Sequence, residues 1–467
     1  MMGRVRLDRE GALGLVLALV LAGGVAFDLT TKTVELRRPS APSGERFAAR
    51  SVFCPPSQGA VAKIAIGGDP GEAVPVGIES GEQPQRRELK ADALITLPAP
   101  SQGGMDVVGY GAPVFASATL DFSTPIPGAG AALCSPAASQ TWYFADGRTT
   151  LDHDDRFVLY NPFPDEAVVR IVFHTSAGAR AKAGLSDVAV PAGEFRVIAA
   201  NEYILRHAVI GATISAQRGR VVAWRAQFSN PENRPRGDVY TLGATAPALT
   251  WYFPDGGAAE GVEERIAIAN PGEDEAVVSV SLMAADRAIQ PPELVELPIP
   301  AGSSQAVELP ELLQGRDARV GGLSAVVRST NGVPVVAERS MWYSGELSGA
   351  TAELGATRPA QSWALGPALF EADADLVAVM NVGDQQVSFS ITLVRAGGAP
   401  LEPAELQDIE LGPGGRVKLP IGRWTSGRPM LALLRASGAV VAERFAYSAR
   451  LRDAAALMGS PLTPSGR

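Results

Sequence analysis

The feature that most constrains this chain is that it repeats itself. Trp142-Tyr143-Phe144-Ala145-Asp146-Gly147 returns 109 residues later as Trp251-Tyr252-Phe253-Pro254-Asp255-Gly256, and a weaker copy opens at Trp363. A second block, Val158-Leu159-Tyr160-Asn161-Pro162, returns as Ile268-Ala269-Asn270-Pro271 and again around Asn381. A third block closes each copy: Val221-Val222-Ala223-Trp224-Arg225, Val335-Val336-Ala337-Glu338-Arg339 and Val440-Val441-Ala442-Glu443-Arg444. The joints repeat as Leu242-Gly243-Ala244-Thr245 and Leu354-Gly355-Ala356-Thr357. A degenerate earlier copy carries Phe53-Cys54-Pro55 where Trp-Tyr-Phe should stand. Blocks recurring in one order at a fixed spacing mean tandem copies of one structural unit, here four.

Within a unit the period is two. Val169, Ile171 and Phe173 alternate with Arg170 and its neighbours; Val278, Val280 and Leu282 alternate with Ser279 and Ser281; Phe389, Ile391 and Leu393 alternate with Ser388, Ser390 and Thr392. Alternation of apolar and polar residues is the pattern of a half-buried antiparallel strand. Asn-Pro, Pro-Ala-Gly at 191–193 and 300–302, and Gly412-Pro413-Gly414 supply turns between such strands. Seven or so short strands in ~110 residues is the size of an immunoglobulin-like or fibronectin-like sandwich. Propeller blades are shorter, and the two halves of a unit do not resemble each other. The predicted fold class is therefore all-β, with tandem sandwiches over 51–138 (degenerate), 139–248, 249–360 and 361–455, and a tail over 456–467. Stacked in line, four domains of ~30 Å would reach on the order of 120 Å.

Composition narrows the function. Gly (50) and Pro (36) are spread along the 467 residues, as many short turns require. The net charge of −9 and the absence of a basic stripe argue against nucleic acid. The three histidines, His153, His174 and His207, and two cysteines leave little for a zinc site or Cys/His catalysis. No catalytic, metal or cofactor-binding residue is assigned, and no cofactor is expected. There is no Ser-His-Asp order, phosphate-cradling glycine loop or HExxH.

Residues 1–10 are charged, and Gly11 to Phe27 form an uncharged, mostly apolar run of 17 residues. As a helix this run is about 26 Å long, at the short limit for a bilayer span. Arg4, Arg6 and Arg9 fit a cytoplasmic N-terminus. The run reads either as a single transmembrane anchor or as a signal peptide cleaved near Gly24-Val25-Ala26. Residues 28–50 read as a linker. Both readings place the bulk of the chain outside the cytoplasm, as a membrane-held ectodomain or a secreted protein.

The blocks Trp-Tyr-Phe-Ala-Asp-Gly, Asn-Pro followed by alternating valines, and Val-Val-Ala-Glu-Arg-Ser-Met-Trp-Tyr (335–343) together resemble an uncharacterised family of actinobacterial exported proteins, domain of unknown function 5719. The resemblance spans roughly residues 50–455. It implies a location and an architecture, and no activity. The first unit departs from the pattern at Phe53-Cys54, and the fourth keeps only Trp363 of its opening block.

Four groups of residues are candidates for more than folding. Cys54 and Cys134 flank the first unit, and in an oxidising compartment such a pair reads as a disulfide; the alternative is two unrelated thiols. Glu338-Arg339 and Glu443-Arg444 lie next to each other on strands, so their side chains point to opposite faces and cannot form one acid–base device; they read as salt bridges or as edge charges. Acidic residues recur before each asparagine: Asp152, Asp154 and Asp155; Glu260, Glu263 and Glu264; Glu371, Asp373 and Asp375. These read as solvated loops, with Ca²⁺ ligation as the sharper alternative. Trp142, Trp251 and Trp363 read as packing residues, or as sugar-stacking platforms if exposed. The leading expectation is a non-enzymatic structural or protein-interaction module of the cell envelope. The alternatives are an envelope-glycan binder and a hydrolase built from acidic loops. The expected partner is an envelope protein or polysaccharide.

Overall fold

Each repeat folds as two packed antiparallel sheets. In the second unit, the order Phe195–Ala199, His153–Tyr160, Val222–Ser229, Gly237–Leu242 makes one sheet. The order Gly178–Ala181, Ala167–Thr175, Gly211–Arg218, Thr141–Phe144 makes the other, with Val188–Val190 also pairing to Ala167–Thr175. The third unit repeats this arrangement. The first keeps two four-stranded sheets. In the fourth, the 19-residue strand Met430–Ser448 passes from one layer to the other and joins them. The computed structural model describes residues 49–462 apart from 58–60, 69–72, 80–84, 91–92, 101–103, 111–113, 124–126, 231–235, 285–287, 310–312, 314–321, 368–370 and 397. The N-terminal run 11–27, most of the linker and the last tail residues lie outside the described residues. Among the described residues, no helix is long and apolar enough to cross a membrane.

The alternation in the sequence does what the period demands. Val169, Ile171 and Phe173 are buried, as are Val278, Val280 and Leu282, and Phe389, Ile391 and Leu393. The recurring spacing of Trp142, Trp251 and Trp363 has a polar cause as well as an apolar one. Each ring is buried, and each indole N–H donates to the carbonyl of the valine that opens the closing block: Val221 at 2.7 Å, Val335 at 2.8 Å and Val440 at 2.9 Å. Burying a tryptophan leaves its N–H in need of a partner, and the same carbonyl serves in three units. The buried asparagines work in the same repeated way. Asn161 donates to the carbonyls of Asp165 (2.8 Å) and Val190 (3.1 Å) and accepts from the Phe163 amide. Asn270 and Asn381 make the same turns.

Two boundaries differ from the sequence reading. The first strand, Ala49–Cys54, takes in the last two residues of the predicted 28–50 linker. The fourth unit does not end at 455, because the strand Asp453–Met458 pairs with Met430–Ser448 and Ser460–Pro461 pairs with Ala360–Leu365.

The larger correction concerns how units meet. They do not stack in line. The last principal strand of each unit, Gly128–Leu133, Gly237–Leu242, Gly349–Leu354 and Asp453–Met458, packs against that of the next, and the fourth packs against the first. The four sandwiches close into a ring around these axial strands. Three of their sequences, GAGAAL, GATAEL and DAAALM, are rich in glycine and alanine, and the second, GDVYTL, opens on glycine, which lets the backbones approach one axis. A closed ring has no 120 Å reach.

Candidate functional site

The residues that depart from plain folding chemistry gather at the joints between units and on the axis. Between the second and third units, Arg225 pairs with Glu338. Glu338 also accepts the amide N–H groups of Asp146 (3.1 Å) and Ala145 (3.3 Å). Asp146, from the repeated Trp-Tyr-Phe block, binds Arg265 of the third unit and accepts from the Ser340 hydroxyl at 2.6 Å. Against the cost of burial, Arg265, Arg225 and Arg148 hold the Asp146 carboxyl below its ordinary range.

The third and fourth units repeat the device with substitutions. Arg339 pairs with Glu443, and Asp255, which occupies the position of Asp146, binds Lys418 at 2.7 Å. The neighbours Glu338 and Arg339 thus face opposite ways, as strand geometry requires, and each reaches a different unit. Glu338 looks back to the second and Arg339 forward to the fourth. They are buried ion pairs at unit joints, not edge charges.

The acidic loops are only partly solvated. Asp155, Glu264 and Asp375 are buried, and they lie not in loops but on strands that pair with the closing strands. Asp375 binds Arg444 at 2.7 and 2.8 Å. Burial pushes Asp155 up to about 8, against the pull of Arg225. Burial likewise pushes Glu264 up to about 8, against Arg339 and an amide hydrogen bond from Gly257. The other carboxylates of these runs are wholly or partly exposed. Among the described residues no group of three His, Cys, Asp or Glu side chains is placed to hold a metal ion.

The structure joins Cys54 to Cys134, tying the first strand of the first unit to its exit. The histidines do not converge. His153 meets the Thr150 hydroxyl at 2.9 Å. His174 donates from Nδ1 to the Gly302 carbonyl (3.1 Å) across a joint and meets Thr213 Oγ1 at 2.7 Å; burial lowers its pKa. His207 bonds through its backbone to Thr149.

Sequence reasoning missed the axis and the role of the Asp-Gly motif. On the axis, Asp453 accepts four backbone N–H bonds: from Ala129 and Asp238 at Oδ2 and from Ala350 and Ala454 at Oδ1, each 2.9 Å long. Beside it, Asp238 is buried and its carboxyl oxygens have no hydrogen-bond partner among the described residues. Burial, and next the Asp453 charge, push Asp238 up to about 9. A signal was present: Gly128, Gly237 and Gly349 open the other axial strands where the fourth has Asp453.

A cleft of about 510 Å³ lies on the fourth unit, lined by Asp373, Glu405, Arg423 and Trp424 among others. The Arg423 guanidinium stacks 3.8 Å from the Trp424 ring, and Arg423 pairs with Glu405 at 3.1 Å.

Comparison with known proteins gives one family. The model described as "Family of unknown function (DUF5719)" matches residues 110–422. No curated protein matches the chain. Among solved structures, the crystal structure of Thermotoga maritima 1070 is similar at 23% identity over 24% of this chain and 94% of its own, with a TM-score of 0.21. The sensory rhodopsin transducer of Anabaena is similar at 20% identity over 20% of this chain and 96% of its own, with a TM-score of 0.17.

Proposed function

The chain belongs to the family of unknown function DUF5719, and from that premise we propose that it works without chemistry, as a rigid platform of the cell envelope that holds or contacts another envelope component. The observation that carries this reading is where its buried charge is spent. A catalytic site arranges perturbed acids and bases around a cleft with room for substrate. Here Asp146, Arg225, Arg265, Glu338, Asp255, Arg339 and Glu443 face neighbouring units. They make the ring stiff.

The disulfide favours an oxidising compartment, and the N-terminal apolar run favours export, by anchor or by cleaved signal. The partner in this reading is an envelope protein. A polysaccharide is the second reading, favoured by the cleft that holds Trp424 with Arg423 and Glu405. The tryptophans of the repeated blocks are buried and offer no sugar platform.

The test measures binding and turnover side by side. The full chain is incubated with envelope proteins, envelope polysaccharide, peptidoglycan, peptides and esters. Saturable binding without product supports the platform. Turnover abolished by a single carboxylate or histidine substitution would overturn it, and polysaccharide binding lost in Trp424→Ala would favour the second reading.

A further inference from the structure

The four axial strands enter the ring in one register. Gly128, Gly237, Gly349 and Asp453 each stand opposite the end of their unit's closing strand, at Phe122, Ser229, Tyr343 and Ser448. Three of these positions are glycine for a steric reason. A Cβ on Gly128 would collide with the Asp238 and Asp453 carboxyls, one on Gly349 with the Asp453 carboxyl, and one on Gly237 with Gly349 and Ala350. At this register position the fourth unit alone carries a side chain.

That side chain finds a complete set of donors. The amides of Ala129, Asp238, Ala350 and Ala454 come one from each unit, two to each oxygen. Burial raises the Asp453 carboxyl to about 7 against the pull of these four amides; once ionised it has about four lone-pair sites, and all four are used. Converging backbone N–H groups form an anion-binding nest, and hydrogen bonds to a charged acceptor are the stronger kind. Asp238, the other buried acid on the axis, is pushed up to about 9 by burial and the Asp453 charge, so at neutral pH it sets no second negative charge beside the nest.

The joint that this carboxylate closes is unlike the others. Units one and four are not consecutive, so no linker joins them. Where the third and fourth units carry Glu338 and Glu443, the first has Ser117, paired at the equivalent place on its axial strand. Arg444, the counterpart of Arg225 and Arg339, turns instead to Asp375 of its own unit. Small apolar residues fill the seam, among them Ala129, Ala131, Ala446 and Ala455, and an exposed Arg450–Asp121 pair spans it.

We propose that the axis is a carboxylate-binding site whose ligand is supplied in cis: Asp453, carried by the C-terminal strand, occupies a nest of amides from all four units and latches the ring at its unlinked joint. The proposal does not depend on what the platform binds. The ligand class is a small monocarboxylate, which the empty nest would accept in place of Asp453.

The experiment uses the full chain carrying Asp453→Gly, which restores the glycine of the other three units. The melting temperature falls by on the order of 10 °C, from the loss of several charge-assisted hydrogen bonds. Formate restores it saturably, and formamide, neutral and of similar size, does not. Asp408→Gly is the control; Asp408 is exposed, with a backbone φ of 50° that suits glycine, so formate leaves it unmoved. A D453G chain that melts like the wild type, or that formate helps no more than formamide, overturns the latch. If D453G yields no folded protein in any of these solutions, hydrogen exchange of the wild-type chain decides. The latch requires the amides of Ala129, Asp238, Ala350 and Ala454 to exchange together, although they lie in four units. Protection of Ala454 alone overturns it.

Discussion

The first unit and the second solve the same local problem with different chemistry. Each must fasten its first strand to the segment by which the chain leaves. In the second unit Phe144 lies against Gly243, where an added Cβ would come 2.7 Å from the ring. The third unit repeats this with Phe253 and Gly355, and in the fourth Leu365 meets Gly459. In the first unit the same two places hold Cys54 and Cys134, joined covalently. The joints differ in parallel. The first and second units share one continuous apolar core, with Trp224 donating to the Leu133 carbonyl at 3.1 Å and Tyr160 to Asp106 at 3.0 Å. Among the described residues no ion pair crosses that joint, whereas buried arginine–glutamate pairs cross the next two. The disulfide and the apolar contacts do not titrate, and Asp106, pushed up to about 7 by burial, is the titratable acid that Tyr160 meets at that joint. The arginine joints bring specificity of pairing together with titratable groups.

The sharpest way to break the comparison is to reduce the disulfide. It closes a loop of 80 residues, and the chain-entropy account assigns such a loop roughly 4.5 kcal/mol. Reduction should expose residues 49–133 to protease while the second and third units stay resistant, as peptide mapping would record. Equal protection before and after reduction would mean that the shared core alone holds the first unit.

Next in size is Glu338→Ala. It strands Arg225 and two backbone amides inside the joint and should cost about 4 kcal/mol, as removal of one partner of a buried pair does. The double variant Arg225→Met with Glu338→Leu should recover most of that loss in chemical denaturation. No recovery would indicate that the pair contributes more than its own desolvation cost.

Gly243→Ala should cost about 1–3 kcal/mol through overpacking against Phe144. The double variant Gly243→Ala with Phe144→Leu should restore part of it, which calorimetry would read. An unchanged midpoint in the single variant would show that the ring shifts freely.

The smallest effect is a slope with pH. Asp155 and Glu264 are held up to about 8 by burial. The folded chain therefore keeps protons that the unfolded chain releases above about 4. Their stabilising contribution is complete below that pH and is lost as pH rises through 8. Asp155→Asn with Glu264→Gln should flatten the fall of the denaturation midpoint between pH 5 and 8.5 relative to wild type. Parallel curves would show that the two acids are already ionised against their arginines.

Much of one unit was legible in the chain. Alternating valines specify which strand face is buried because side chains alternate every residue. The asparagine turns depend on contacts within about 30 residues and recur wherever the block recurs. The cysteine pair could be read because it stands at the two ends of one copy. The partners of Glu338, Asp146 and Asp255 could not be read in the same way. Their charges were visible, but strand alternation says only that Glu338 and Arg339 part company, not which unit each one meets.

What the sequence by itself determined, then, is the unit: its length, its strands, its turns and its internal bridge, all set by local periodicity that each copy carries complete. What only the tertiary structure decided is the closure. Asp453 lies 324 residues from Ala129, whose amide it accepts, and no pattern along the chain links them. Small axial residues permit several ways of packing one sandwich on the next, in line or in a ring. The choice falls to the geometry that satisfies a buried carboxylate with four amides and buried arginines with carboxylates, because leaving either unpaired away from water costs more than any local preference can offset.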